Sequence, residues 1–233
     1  SGYSEYHGVL SVKNHILLGI TPVDSEYHFV VEGDWSNAAN WQGGALPTVE
    51  DEVFIDAPCS LDMDVEVADL TISAGQSLTL QSGKTLTVTG TLTNTVNTGL
   101  IIADGAQLVA SGSVNGTMQK SIGGYNSMGG WQLISAPVNG VRPSLVANML
   151  SNSYDLYYYD QSQSLEWINY KSGTFSLASG KGYLYANSNS IVLSFAGLLN
   201  SHNGAVTLDY VSEAEAPGWN FVGNPYPCNA TLA

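Results

Sequence analysis

Residues 69–116 repeat with a period of 22. Leu70 aligns with Leu92 and Val114, Thr71 with Thr93, Leu78 with Leu100, and Leu80 with Ile102. Gly83 aligns with Gly105, Leu86 with Leu108, and Gly90 with Gly112. Within one row the apolar pairs lie two residues apart: Leu70/Ile72, Leu78/Leu80 and Leu86/Val88. That spacing points both side chains of a pair to one face of a strand. Gly, Ser, Asn and Asp fill the gaps, where the chain must turn. Three short strands per repeat, all turning the same residues inward, describe a three-sided β-solenoid. No coil can bury its Leu/Ile face alone, so coils stack ~4.8 Å apart around one core. Leu78, Leu80, Leu100 and Ile102 are then expected in buried ladders, with Thr79 and Ile101 pointing away. The alternative is an antiparallel sandwich with evenly spaced strands.

Composition keeps the rest of the chain in the same class. The 233 residues are 44% hydrophobic and only 11% charged, which marks a folded protein. No convincing helical stripe appears except at Ser144–Leu150, long enough for about two turns. The expected fold is all-β: a short three-sided β-solenoid of 22-residue coils followed by a β-sandwich-like domain. The net charge of −14, with Arg142 the sole arginine, excludes a nucleic-acid binder, which needs clustered Lys and Arg. It also disfavours an anionic membrane surface, and no apolar run approaches the ~20 residues of a membrane helix. Ser1-Gly2-Tyr3 does not begin a signal peptide, so a mature form or an excised piece is expected. Cys59 and Cys228 are too few for a disulfide framework, and whether they pair stays open.

Three units are expected along the chain. Residues 1–33 hold Val9–Val12, Ile16–Leu18 and Tyr27–Val31, read as cap strands or as the tail of a preceding module. Residues 34–122 are the solenoid, with Val53/Ile55 and Leu61/Met63 as an earlier, less regular coil. Trp35 and Trp41 are expected to seal its end, with ligand binding as the alternative. Residues 123–233 carry about seven strands, including Tyr154–Tyr159, Leu165–Tyr170 and Ala205–Tyr210. Gly130-Trp131 and Gly218-Trp219 each precede a proline by the same spacing, at Pro137 and Pro225. The two segments are expected on neighbouring strands, their Trp side chains in or at the rim of one core.

These phrases carry a resemblance. Trp35-Ser36, Asn40-Trp41, Gly43-Gly44, Pro47 and Asp51-x-Val53-x-Ile55 lead into the solenoid. Gly180-Lys181-Gly182-Tyr183-Leu184, Phe195-Ala196-Gly197 and the phrase Gly218 to Pro227 follow it. Together they resemble modules of Bacteroidetes-type secreted and cell-surface multidomain proteins, adhesin-like and associated with type IX secretion. The resemblance implies an extracellular or outer-surface location and flanking domains of a larger chain. In such proteins the Gly-Asn-Pro-Tyr-Pro phrase runs on into further β-structure and a sorting module. Here the sequence ends at Ala233, so either this is a fragment or the missing strands come from elsewhere.

No catalytic constellation stands out. His7, His15, His28 and His202 show no local metal-ligand spacing. Gly83-Lys84-Thr85 lacks the rest of a phosphate loop, and no nucleophile elbow is present. Eight carboxylates lie between Glu50 and Asp69 with no Lys or Arg among them. On a regular strand Asp62, Asp64 and Glu66 share one face and offer oxygen ligands for Ca²⁺; the alternative is a solvated acidic face. No other cofactor is implied. Tyr157, Tyr159, Trp167 and Tyr170 form the second candidate, a set of rings for stacking on sugars; cross-strand core packing is the alternative. The expected function is therefore a non-catalytic structural or adhesive module, its partner a host or matrix glycan or protein. The alternative is a carbohydrate-binding module of a larger glycan-utilising protein, and an exposed aromatic platform would favour it.

Overall fold

The structure is a computed structural model that describes residues 26–126, 130–201 and 205–230. The strands expected at Val9–Val12 and Ile16–Leu18 lie outside the described residues. The fold is all-β, with stacked solenoid coils and additional antiparallel sheets.

The coils follow from the alternating pairs. The first holds β1 (Glu26–Phe29) and β2 (Gly33–Asp34). The second holds β3 (Glu52–Ile55), β4 (Cys59–Leu61) and β5 (Val65–Val67). The third holds β6 (Asp69–Ile72), β7 (Leu78–Leu80) and β8 (Thr85–Val88). The fourth holds β9 (Leu92–Thr93), β10 (Leu100–Ile102) and β11 (Gln107–Ala110). Corresponding strands pair in parallel to make three sheets, one per side. Leu78 pairs with Leu100, Leu86 with Leu108 and Leu70 with Leu92, so the 22-residue period is the coil length. Leu78, Leu80, Leu100 and Ile102 are fully buried, whereas Thr79 and Ile101 stay partly exposed. A fully buried Leu contributes roughly 1.5–3 kcal/mol, and only the stack supplies the burial.

The second coil departs in one detail from the expected pairing. Its second inward pair is Cys59/Leu61, facing Leu78/Leu80, and Met63 is exposed. The first coil is closed by Trp35 and Trp41, which are 1% and 3% exposed. The two rings meet edge-to-face at 4.7 Å, and Trp41 Nε1–H donates to the Trp35 carbonyl at 2.8 Å. They are lids on the core and present no face to a ligand.

The repeat ends at β12 (Val114–Ile122). Ile101 pairs with Thr117, an offset of 16 rather than 22. The corner made by Asn94–Gly99 has no counterpart there. β12 therefore runs straight on for nine residues and leaves the stack. β13 (Gln132–Ile134), β14 (Tyr154–Tyr159), β15 (Trp167–Asn169) and β16 (Tyr183–Asn187) form an antiparallel sheet in the order β13-β16-β14-β15. β17 (Ile191–Leu199) then returns to pair antiparallel with β12 along its full length, from Val114↔Leu199 to Ile122↔Ile191. The expected division at residue 122 is thus bridged by one continuous sheet. The buried side chains of both parts, Leu156, Tyr183 and Tyr185 with Leu193 and Phe195, belong to one hydrophobic cluster with the coils. Further on, the Pro227 carbonyl accepts the Leu108 N–H at 2.8 Å, so the C-terminal segment covers the edge of the third sheet.

Two expectations fail in this half, and one open question is answered. Ser144–Leu150 is not helical beyond a single 3₁₀ turn, Pro143–Leu145: Val146 is already extended, with ψ 116°, and Asn148 takes a positive φ of 66°. Residues 205–210 form no strand and join no sheet. Their backbone is held by the Gln161 and Asn220 side chains instead. Cys59 and Cys228 are both free thiols; burial, with the charges of Asp62 and Asp34, pushes the Cys59 thiol far above its usual range.

Candidate functional site

Alternation along β14 sorts its tyrosines. Leu156 is fully buried and the Tyr170 N–H donates to its carbonyl, which places Tyr170 on the core row. There Tyr170 and Tyr158 both pack edge-on against Phe175, which stacks on Tyr183. Tyr157 and Tyr159 point to the opposite face, and Trp167 stands beside Tyr159 in register. The structure therefore brings together three members of the expected sugar-binding set. Tyr170 is separated from them, since a one-residue change of parity changes the face.

Three more rings join that face. Trp131 meets Tyr157 edge-on at 5.6 Å, and Trp219 meets Tyr159 at 4.3 Å. Phe221 lies parallel to Trp219 at 6.2 Å and contacts Trp167 at 5.5 Å. Trp131, Trp167 and Trp219 are 52%, 37% and 46% exposed, so this is a surface of rings. The expected place of Trp131 and Trp219, in or at the rim of one core, is corrected: neither is in the core. Their segments both lie along the strand that contains β16, through Ile134↔Tyr183 and Lys181↔Val222, but the rings turn outward. The signal was present: Trp131/Leu133 and Trp219/Phe221 are pairs two apart, as on any half-exposed strand. Gly182 and Gly223 permit the docking. A Cβ on Gly182 would stand 2.9 Å from the Phe221 ring, and one on Gly223 2.5 Å from Ser135 Cβ.

Beside Tyr159, Trp219 and Phe221 opens a cleft of about 340 Å³. Asp160, Lys181, Asn220 and Tyr210 line its walls. Burial raises the Asp160 carboxyl, but hydrogen bonds from Ser162 and Gln163 and the Lys181 charge outweigh it and hold the group below its ordinary range. The Tyr159 phenol is pushed up by desolvation, then by the Glu166 carboxylate and the charge of Glu215. Lys171 pairs with Asp155 at 3.0 Å at the far end of the face.

The acidic run is used differently from the expected Ca²⁺ set. Asp62 and Asp64 lie in the turn between β4 and β5, and only Glu66 is on a strand. Asp62 accepts from the Ser36 N–H at 3.0 Å and its hydroxyl at 2.5 Å, and Asp64 accepts the Thr85 N–H at 2.8 Å. Asp69 accepts the Thr91 N–H, and Asp56 accepts from Ser73 and meets His28 Nδ1 at 2.6 Å. Each partner is in a neighbouring coil, so these carboxylates staple coil to coil at the corners. Among the described residues no group of three or more His, Cys, Asp or Glu side chains is placed to hold a metal ion. No described helix is long and apolar enough to cross a membrane.

The family model described as a domain of unknown function, DUF8693, matches residues 27–233, so the chain belongs to that family. No curated protein matches the chain. No solved structure matches it either.

Proposed function

We propose that the chain is a non-catalytic structural and adhesive module of a secreted or cell-surface protein. The solenoid serves as a rigid spacer and the aromatic sheet face as the contact surface. The observation that carries this reading is the face itself: Trp131, Tyr157, Tyr159, Trp167, Trp219 and Phe221 on one exposed side of one sheet. Exposed aromatic patches of this kind mark binding surfaces. Asp56, Asp62, Asp64 and Asp69 of the acidic run are engaged in coil-to-coil bonds, which supports a structural role for the solenoid. An extracellular or outer-surface location, among flanking domains, fits the resemblance of the Asn40-Trp41 and Gly218-to-Pro227 phrases to such proteins. A carbohydrate-binding module is the second reading, favoured by the cleft beside Trp219. The test is adhesion of the purified chain to fixed cells and extracellular matrix, compared with Trp167→Ala and Trp219→Ala. Retention that both substitutions abolish supports the proposal; no retention, or retention they leave unchanged, overturns it.

A further inference from the structure

We infer that the aromatic face and the adjoining cleft bind a neutral polysaccharide chain; this deepens the adhesive reading and rests on it. A sugar ring has an apolar C–H face and a polar hydroxyl edge, and a site for it needs both kinds of partner. The rings supply the first: Tyr157, Tyr159, Trp167 and Trp219 adjoin one another on one face. The cleft supplies the second, with Asp160, Lys181 and Asn220 on walls that begin at Tyr159 and Trp219. The rings hold each other edge-on, at 5.4 Å for Tyr159–Trp167 and 4.3 Å for Tyr159–Trp219. They are set before a ligand arrives, which lowers the cost of ordering.

The shape and the charge narrow the ligand. Trp131 at one end and Trp219 at the other are about half exposed, so the face is open and suits a chain rather than a single enclosed sugar. Asp155, Asp160, Glu166 and Asp209 stand around it, and the whole chain carries −14. A uronate or sulfated chain would meet that field as a like charge, whereas a neutral chain would not. Tyr and Trp predominate over Leu, Ile and Val among these side chains, as amphipathic recognition of hydroxyl-bearing surface requires.

The test is affinity electrophoresis of the 233-residue chain through gels containing hydroxyethylcellulose, xyloglucan, mixed-linkage glucan or galactomannan, and separately polygalacturonate or heparin. Retardation by at least one neutral glycan is expected, weakened at least tenfold in Trp167→Ala and Trp219→Ala. Thr79→Ala on the solenoid should bind as the parent, and near-ultraviolet dichroism should show each variant folded. No retardation by a neutral glycan, binding confined to the acidic polymers, or neutral binding unchanged in both Trp variants would each overturn the inference. If cell and matrix adhesion is lost in those variants while no glycan binds, the partner is protein: this inference fails and the adhesive reading stands. If adhesion is absent as well, both fail.

Discussion

Leu100 stands directly over Leu78, its parallel-strand partner one coil earlier, and both are sealed from solvent. Truncating one rung leaves a cavity that neighbouring coils cannot close, because the strand spacing is fixed by backbone hydrogen bonds. Leu100→Ala should cost about 2–5 kcal/mol. Thr79→Ala, on the outward side of the same ladder, should cost under ~1 kcal/mol. Denaturant melts of the two variants check this; equal losses would contradict the register.

Stability should fall in acid through the corner carboxylates. Burial raises both Asp56 and Asp62. Hydrogen bonds from Ser73 and His28 on the first, and from Ser36 on the second, outweigh it and hold both below their ordinary value of 3.8. A carboxyl depressed by folding contributes stability that is complete above its unfolded pKa and is lost as pH falls through the folded one. The melting temperature should therefore stay level down to about pH 5 and drop below about pH 4. Asp56→Asn and Asp62→Asn should each flatten the acid limb.

Calcium should not stabilise the solenoid. Asp62 and Asp64 already accept hydrogen bonds from Ser36 and Thr85, and a cation would have to displace them. Millimolar Ca²⁺ or a chelator is expected to leave the melting temperature unchanged. A rise with Ca²⁺ that Asp64→Asn removes would restore the cation site.

Gln161 holds the segment that carries Trp219. Its Nε2 donates to the Asp209 carbonyl at 2.7 Å, and its Oε1 accepts from Val211 at 3.1 Å and Gly218 at 2.8 Å. Only 5% of Gln161 is exposed, so Gln161→Ala takes the acceptor from the Val211 and Gly218 N–H groups, while Asn220 still donates to the Asp209 carbonyl, at a cost of about 1–3 kcal/mol. Amide exchange should accelerate across residues 205–220 and remain slow in β7 and β10. A uniform loss of protection would show that this segment is not a separate unit of stability.

The sequence by itself determined the coils. Period, inward pairs and outward threonines are local patterns, and stacking identical rows repeats each contact, so one register satisfies all rows at once. Alternation likewise put Tyr157 and Tyr159 on one face of β14 and Tyr158 on the other, without saying which face is core. Tertiary structure alone decided what closes the stack and what the second half exposes. β12 leaves the solenoid because its row lacks a corner, and only β17, returning from far along the chain, shows where it goes. Trp131 and Trp219 read as in or at the rim of a core and lie on a surface, since a strand has two faces and sequence does not say which is covered. Tyr170 sits on the core row because the β14–β15 hairpin sets its register. The acidic run looked like a cation site because its hydrogen-bond donors, Ser36, Thr85 and Thr91, are supplied by other coils and become neighbours only when the chain has wound.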